Sequence, residues 1–410
     1  MIMVKFLVRN EPSYDIVIIG AGPAGAAVAF TTAKLGLKTV IVEQMPEPEY
    51  KVRCGEFMPG LEETFKIIPE KGDFFSLLLE SKRFSTNITK EISLVSPFGY
   101  ERQVNFDAHV IDRKKYVQWM VDEAVDSGSE LLLNTRCLQL KMEEEGVKGV
   151  VVRRKGEGGE REVLSGSVIV GADGADSNVA KQVAMFQSYK DLDLVTARQY
   201  VMENFSGKED VCRMFIGKDY SPGAYAWIIP KGNGMANVGT GIRKPYLQSG
   251  DTLKVCLQRF IKEHPQASTL LKDTTVKSVI TAHVPVGGTL EKTCWKNVLL
   301  VGDAAGQVIV HVGAGMPPAI IAGEIAGQTI AKYLEGNKPL SNYEKIWKSI
   351  LQKPIKNGLY VRKLWDKIAY SDKKVEKFLK IIRQGMLEKM IRAKIPISVR
   401  LLAPIITKIL

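Results

Sequence analysis

The sequence predicts an α/β protein that contains a Rossmann-like dinucleotide-binding domain, an inserted, mostly antiparallel β-sheet domain and a helical C-terminal region. Three observations support this prediction: an apolar strand that runs into a glycine-rich turn near the N-terminus, short alternating strands from about Val195 to Val286, and basic, helix-patterned residues at the end. We place the dinucleotide-binding domain at residues 1–190 plus 291–343, the substrate domain at 191–290 and the C-terminal region at 344–410.

The first strand and turn have the pattern of a dinucleotide-binding site. The apolar run at residues 16–19 fits a strand that is buried on both faces of a parallel sheet. Three glycines follow: Gly20 makes the turn, Gly22 lets a pyrophosphate approach the backbone, and Gly25 lets the helix pack on the strand. The helix from Ala24 to about Leu35 then directs its unpaired N–H groups at the phosphates.

An acidic residue completes this pattern. Glu43 ends the second strand, 18 residues after Gly25, which is close to the spacing of an acid that accepts hydrogen bonds from an adenosine ribose. A GxGxxG turn alone is also found in ordinary α/β domains. The strand, the helix and the acid together favour dinucleotide binding.

Composition narrows the class of protein. Hydrophobic residues make up 45% and charged residues 25% of the 410, as in soluble globular proteins. The five cysteines have no CxxC spacing and the four histidines have no zinc-ligand spacing, so we expect no disulfide framework, no metal site and a cytoplasmic setting. No run of 18 apolar residues is present, and we expect neither a transmembrane helix nor a signal peptide.

The net charge of +12 is concentrated at the C-terminal end. From Glu344 onward the chain has 17 Lys and Arg against 5 Asp and Glu, so this region carries the whole excess. With Trp347, Trp365, Phe378 and the apolar ending at residues 401–406, it favours peripheral contact with the anionic inner face of the cell membrane. The alternative is a solvated helical subdomain with snorkelling lysines. No nucleic-acid-binding motif accompanies the charge.

Four residues outside the glycine turn are candidates for ligand contacts. Cys54 lies on a loop near the turn, where it either meets the cofactor or is an inert, half-buried thiol. Arg113, at a helix start, is placed to meet a phosphate or a ring oxygen. Tyr225 and Trp227 are two residues apart, so on a strand they face one side, either as a cavity wall or as packing between sheets.

A second strand with an acidic end lies late in the chain. The buried strand at residues 298–301 ends in Gly302 and Asp303, and a helix is predicted from Ala319 to Leu334. A carboxylate there binds a hydroxyl while the helix N-terminus receives a phosphate or ring oxygen. No second GxGxxG is present, so we expect no separate nicotinamide domain.

Three motifs together resemble a known flavoprotein group. GAGPAG with Glu43, GADG at residues 171–174 and GDAAG at residues 302–306 resemble the aromatic-ring hydroxylases, which bind FAD. Two further stretches, Arg53-Cys54-Gly55-Glu56 and residues 223–239, resemble the geranylgeranyl reductases that saturate archaeal lipid chains. One departure concerns the arginine that usually follows the hydroxylase GADG motif, where this chain has Ala180.

The resemblance implies specific site residues. Tyr225, Trp227 and Pro230 would line an isoprenoid cavity, and Cys54 would lie near the flavin with a catalytic role. FAD contacts are implied at or near Gly20, Gly22, Gly25, Glu43, Cys54, Gly55, Arg113, Cys137, Asp303, Gly315 and Met316.

The predicted function is an FAD-dependent reductase of geranylgeranyl chains in membrane-lipid precursors, located in the cytoplasm on the inner face of the membrane. One alternative is an FAD-dependent monooxygenase that acts on an aromatic or isoprenoid substrate. The other is a non-catalytic prenyl-binding protein of the same fold. The electron donor stays open between a ferredoxin-like iron–sulfur protein, NADPH and a quinol.

Overall fold

The protein is described by a computed structural model that covers residues 12–50, 54–155 and 161–395. Arg53 of the cysteine motif, the predicted turn at residues 156–159 and the apolar ending at 401–406 lie outside these ranges. The strands are β1 (Ser13–Ile19), β2 (Thr39–Val42), β3 (Phe57–Pro59), β4 (Ser85–Val95), β5 (Glu101–Ile111), β6 (Glu130–Leu132), β7 (Thr135–Glu143), β8 (Gly146–Arg154), β9 (Arg161–Gly171), β10 (Leu194–Glu203), β11 (Val211–Phe215), β12 (Ala226–Gly232), β13 (Met235–Ile242), β14 (Thr275–Pro285), β15 (Cys294–Trp295) and β16 (Val298–Leu300). The α-helices are α1 (Pro23–Lys34), α2 (Leu61–Ile67), α3 (Ser76–Glu80), α4 (Arg113–Asp126), α5 (Asn178–Gln182), α6 (Leu253–Glu263), α7 (Pro265–Leu270), α8 (Met316–Leu334), α9 (Asn342–Trp365), α10 (Asp372–Ile381) and α11 (Gln384–Ile391).

The first sheet carries the glycine turn. Its central strands are parallel in the order β6, β2, β1, β9 and β16, and β15 adds an antiparallel edge. The hairpin partner β8 pairs with the first half of β9, as the alternation of both segments predicts, and β7 pairs with β8. Strands β2 and β16 are buried along their whole length, as expected for parallel strands that are covered on both faces.

The second sheet has the order β14, β10, β13, β12, β11, β4, β5 and β3. It is antiparallel except where β4 lies parallel to β11, and this confirms the mostly antiparallel sheet that the sequence predicts. Strands β3, β4 and β5 come from residues 57–111, a segment that we assigned to the first domain from sequence. The second sheet therefore extends beyond the predicted range of 191–290.

Two helix boundaries differ from the expectation, both because of proline. Helix α8 begins at Met316 rather than Ala319, since Pro317 and Pro318 fit the first turn, where no N–H is needed. One helix was expected around residues 251–264, but Pro265 cannot continue α6 and instead begins α7.

The C-terminal region begins as part of the core. Trp347 of α9 is fully buried, and its Nε1 donates to Thr293 Oγ1 at 2.9 Å. Just after α9, Asp366 forms an ion pair with Arg243 of the second sheet's domain. Helix α9 thus joins both sheets. Within the described ranges, no helix combines the length and apolar composition that crossing a bilayer requires.

Candidate functional site

The glycine turn between β1 and α1 has one open side. A Cβ built on Gly20, which has φ +103°, would lie 2.5 Å from the Ala172 carbonyl oxygen, and one on Gly25 would lie 1.9 Å from the Gly20 oxygen. A Cβ on Gly22 would meet only Glu49 Oε1, at 3.7 Å. Gly20 and Gly25 are therefore required by packing, whereas Gly22 leaves space above the N-terminus of α1 for an anion.

Glu43 joins the turn to the loop that follows β2. Its Oε2 accepts from the Ala21 N–H and its Oε1 accepts from the Met45 N–H, both at 2.9 Å. The Glu43 carbonyl oxygen accepts from Thr135 N at 2.8 Å, so β7 begins beside this acid. Glu43 lies at the edge of the turn where a ribose is expected, and its ribose contact stays a prediction.

Cys137 of β7 has different surroundings from Cys54. It is buried in a hydrophobic cluster with Val40, and burial, together with the charge of Asp173, raises the pKa of its thiol to about 12. Asp173 accepts hydrogen bonds from Ser177 Oγ at 2.6 Å and Asn178 N at 2.7 Å. The GADG acid thus fixes the start of α5, and the flavin contact proposed for Cys137 stays a prediction.

Arg113 lies at the centre of the charged groups near the turn. Its guanidinium is 2.8 Å from Glu49 Oε1, and the two side chains are only 14% and 7% exposed. Burial disfavours the charged guanidinium, but Glu49 and Cys54 more than compensate and raise the pKa of Arg113 above its usual range. Arg113 Nε is buried and has no hydrogen-bond partner among the described residues.

The start of α8 lies against a buried acid. A Cβ on Gly315, the N-cap of α8, would lie 3.2 Å from Asp303 Oδ1. Burial raises the pKa of Asp303, and the charge of Arg113 opposes that shift. The structure therefore brings Gly315, Asp303 and Arg113 to one place, as the sequence predicts for residues that contact one ligand.

Cys54 lies between the two sheets. Its Sγ accepts from the Glu56 N–H at 3.1 Å and lies 3.9 Å from Met316 Sδ at the start of α8. Its carbonyl oxygen accepts from Gln199 Nε2 of β10 at 3.0 Å. The Cys54 thiol is thus held beside the helix end that the sequence assigns to the flavin.

Tyr225 and Trp227 are connected by hydrogen bonds to the region around Cys54 and the start of α8. Tyr225 and Trp227 are in edge contact, with ring centroids 5.9 Å apart at 64°. Trp227 Nε1 donates to Gln199 Oε1 at 2.8 Å, so Gln199 bridges the indole and the Cys54 backbone. Tyr225 OH donates to Val312 O at 2.8 Å, in the loop that leads into α8.

Pro230 lies on the other face of β12 from Trp227, since successive strand residues alternate. Its carbonyl oxygen accepts from Asn87 Nδ2 at 2.9 Å. The structure does not bring the Pro230 side chain to Cys54, and a role in substrate binding stays a prediction.

Sequence reasoning missed four polar residues of this site. Gln199, Lys231 and Asn237 belong to three strands of the second sheet, and Glu49 follows β2. Only Lys231 had a local signal, because it continues the alternation of Trp227 along β12. The contacts of Gln199 and Asn237 depend on strand pairings between distant parts of the chain. The contact of Glu49 depends on the distant Arg113.

The arrangement fits FAD. The open side of Gly22 and the N-terminus of α1 suit a pyrophosphate, and Arg113 Nε, which has no acceptor within the described ranges, is a donor that can meet an anion. At the N-terminus of α8, the backbone N–H groups of Gly315 and Met316 lie near Asp303 and Cys54, whereas Pro317 and Pro318 have none. These residues would hold the two ends of an extended dinucleotide along the carboxyl edge of the first sheet.

Comparison with known proteins identifies the family. A model of the FAD binding domain family matches residues 13–353. A digeranylgeranylglycerophospholipid reductase from Methanopyrus kandleri is 32% identical over 362 residues, which cover 87% of each chain. One from Methanocaldococcus jannaschii is also 32% identical, over 87% of this chain and 88% of the relative.

Solved structures agree with this. A geranylgeranyl bacteriochlorophyll reductase-like protein from Thermoplasma acidophilum superposes with a TM-score of 0.79 at 26% identity, over 96% of this chain and 99% of that one. A flavin-dependent brominase has a TM-score of 0.71 at 14% identity, over 97% of both chains, and shows the shared fold alone. FAD is the cofactor of this fold. The chain therefore belongs to the FAD binding domain family and, within it, to the digeranylgeranylglycerophospholipid reductases.

Proposed function

We propose that this protein is an FAD-dependent reductase that saturates the C=C bonds of geranylgeranyl chains in membrane-lipid precursors. The observation that supports the proposal is the set of contacts that join Cys54 to the start of α8 and, through Gln199, to the Tyr225–Trp227 pair. The similarity to named reductases over most of the chain supports the substrate class.

The aromatic pair suits the chemistry of an isolated alkene. Saturation adds a hydride to one carbon and a proton to the other, and a trisubstituted alkene places the intermediate positive charge on its tertiary carbon. FAD, when bound and reduced, supplies the hydride. Tyr225 and Trp227 stabilise the cation through their ring faces.

We assign Cys54 as the group that donates the proton to the alkene carbon. Its S–H bond breaks as the new C–H bond forms, and the thiolate then regains a proton from solvent. The thiol is half-buried, its Sγ lies 3.9 Å from Met316 Sδ at the start of α8, and Gln199 joins the Cys54 backbone to Trp227. Catalysis by such a group requires that it lie close to the reacting carbon.

Mass spectrometry of a geranylgeranyl phospholipid, incubated anaerobically with the protein and dithionite, tests the reductase. We expect a gain of two mass units per double bond. Cys54→Ala should keep FAD but lose most turnover, whereas Cys294→Ala, which changes a half-buried thiol elsewhere, should match the unchanged protein. An unaltered lipid in the presence of bound, reduced FAD would contradict the function. The next experiment would then supply oxygen, to test for a monooxygenase.

We also propose that the C-terminal helices contact an anionic membrane surface. Lys363, Lys367, Lys373, Arg383 and Lys389 are exposed. Asp366 is paired with Arg243, and Glu376 is paired with Lys380. Tyr370 and Ile381, which flank α10, are 58% and 54% exposed and are suited to enter the interface between headgroups and acyl chains.

Liposome flotation tests this contact. Lys367→Glu with Lys373→Glu should weaken binding to anionic vesicles by about tenfold or more, since each basic residue near the surface contributes about 1 kcal/mol. Lys254→Glu with Lys272→Glu reverses two exposed charges on the second sheet's domain and serves as the control. Equal partitioning of the two variants, or binding that is insensitive to salt, would count against the membrane contact.

The number of dinucleotide turns in the sequence limits the choice of electron donor. Its single GxGxxG turn is used for FAD, so a nicotinamide cofactor has no dinucleotide turn of its own. We propose a donor that needs none, either a ferredoxin-like protein or NADPH that docks directly against bound FAD. Anaerobic mixing with each donor in turn, followed by the loss of oxidised-flavin absorbance, distinguishes the two.

A further inference from the structure

Glu56 is an acid in an unfavourable position. It is only 5% exposed, and its φ of +61° lies in the left-handed region that glycine adopts more readily. Burying a carboxylate costs free energy unless it is paired and hydrogen-bonded. A glutamate here is therefore disfavoured twice, and its side chain must contribute interactions that offset both costs.

Those interactions come from the second sheet. The Glu56 carboxylate forms an ion pair with Lys231 of β12. Asn237 of β13, which is fully buried, donates to Glu56 Oε2 and to the Gly55 carbonyl oxygen, both at 2.9 Å. With the bond from Gln199 to the Cys54 carbonyl, three neighbouring strands together bind all three residues of the segment Cys54-Gly55-Glu56.

This anchoring determines how the Cys54 thiol is oriented. The Glu56 N–H donates to Cys54 Sγ at 3.1 Å, and the Arg113 guanidinium is a second donor that faces the thiol, so the sulfur is an acceptor toward both groups. Its own S–H is then directed to the other side, where Met316 Sδ lies at 3.9 Å. The thiol proton consequently points at the start of α8.

We propose that Glu56, held by Lys231 and Asn237, is a positioning residue that orients the Cys54 S–H toward the reacting centre. This rests on the proposed reductase function for its catalytic consequence, but the orientation of the thiol is a property of the chain alone. Glu56 acts through Cys54 and does not itself donate the proton.

Thiol alkylation tests the orientation independently of turnover. FAD-loaded Glu56→Gln and Lys231→Met are treated with iodoacetamide, and the Cys54 peptide is quantified by mass spectrometry. Loss of the buried ion pair should free the segment and increase the Cys54 alkylation rate by about fivefold or more. Cys212 and Cys256, which are buried in the same protein, report on unfolding and should stay protected.

Two matched variants separate positioning from general loss of stability. Glu63→Gln removes another buried carboxylate, which pairs with Arg392 at 2.7 Å, and should leave Cys54 alkylation unchanged. Lys231→Arg keeps the pair and should behave like the unchanged protein. In lipid reduction, Glu56→Gln should lower kcat about tenfold with little change in KM, because the substrate contacts are intact.

The outcomes are distinct. Alkylation of Cys54 in Glu56→Gln at the rate of the unchanged protein would overturn the positioning role, whatever the lipid assay shows. Faster alkylation in a protein that reduces no lipid would support the orientation and contradict the proposed reaction instead. Faster alkylation of Cys212 as well would show that Glu56 only stabilises the fold, and would likewise overturn the proposal.

Discussion

Individual glycines of the dinucleotide turn serve different purposes. Gly22→Ala should leave the fold intact, because its Cβ would enter open space, but should weaken FAD binding by about tenfold or more through lost approach of the pyrophosphate. Gly25→Ala would place a Cβ 1.9 Å from a carbonyl oxygen and should prevent correct folding. Flavin fluorescence titration measures the FAD affinity of the two variants, and a thermal melt measures their stability. A Gly22→Ala protein with unchanged FAD affinity would contradict the placement of the pyrophosphate.

A buried histidine gives the protein a specific sensitivity to acid. His311 Nε2 donates to Met390 O at 2.8 Å, Nδ1 has no partner among the described residues, and burial lowers the pKa from 6.5 to about 4. Between these values the unfolded chain binds a proton that the native imidazole does not, so stability falls as the pH decreases. This residue alone should cost about 2 kcal/mol between pH 7 and pH 5.

Urea unfolding at the two pH values tests the assignment. His311→Gln keeps a donor for the Met390 carbonyl but cannot titrate, so its unfolding free energy should depend less on pH by about that amount. An identical pH dependence in both proteins would show that other groups, such as His109 and His264, whose pKa values are also lowered by burial, dominate acid sensitivity.

At the scale of elements, the end of α9 is fixed by a buried charge network. Arg243 is 1% exposed, pairs with Asp366 and donates to Gly223 O at 2.7 Å, while Arg362 pairs with Asp193 at 2.7 Å. Arg243→Met would leave Asp366 partly uncompensated and should lower the free energy of unfolding by about 3 kcal/mol.

The matched control for this prediction is an exposed ion pair. Lys277 and Glu203 lie 2.8 Å apart on the second sheet, with both side chains largely in solvent. Lys277→Met should change stability by about 0.5 kcal/mol or less. Equal effects of the two substitutions in urea unfolding would show that the Arg243 network does not hold α9 in place.

The sequence predicted those features that depend on residues close together in the chain. The strand, turn, helix and acid of the dinucleotide site follow from a short segment. The spacing of Tyr225 and Trp227 predicted only that they face one side, and the family resemblance implied that they lie near Cys54. The partners Gln199 and Asn237 were missed because they meet Cys54-Gly55-Glu56 only after β10, β12 and β13 pair, and side-chain patterns do not encode that register. The parallel pairing of β4 with β11 was missed for the same reason.

For the whole molecule, the C-terminal region is structural as well as basic. Tyr343, Trp347 and Leu351 of α9 are fully buried, so the charge excess lies on helices that extend from the core. A chain that ends before Glu344 should lose cooperative unfolding and FAD retention, because apolar surface of the core becomes exposed. A chain that ends at Ile395 should retain both. Circular dichroism melts and bound-flavin content distinguish these outcomes.

The pairing of β4 with β11 has a consequence during protein synthesis. The hairpin of β4 and β5 leaves the ribosome long before residue 211, where its next partner begins. At roughly 5–20 residues per second, the delay between residues 95 and 211 lasts about 6–23 s. Throughout that interval one edge of β4 has unpaired backbone groups and is open to aggregation. Binding of a chaperone to this hairpin during synthesis would protect that edge.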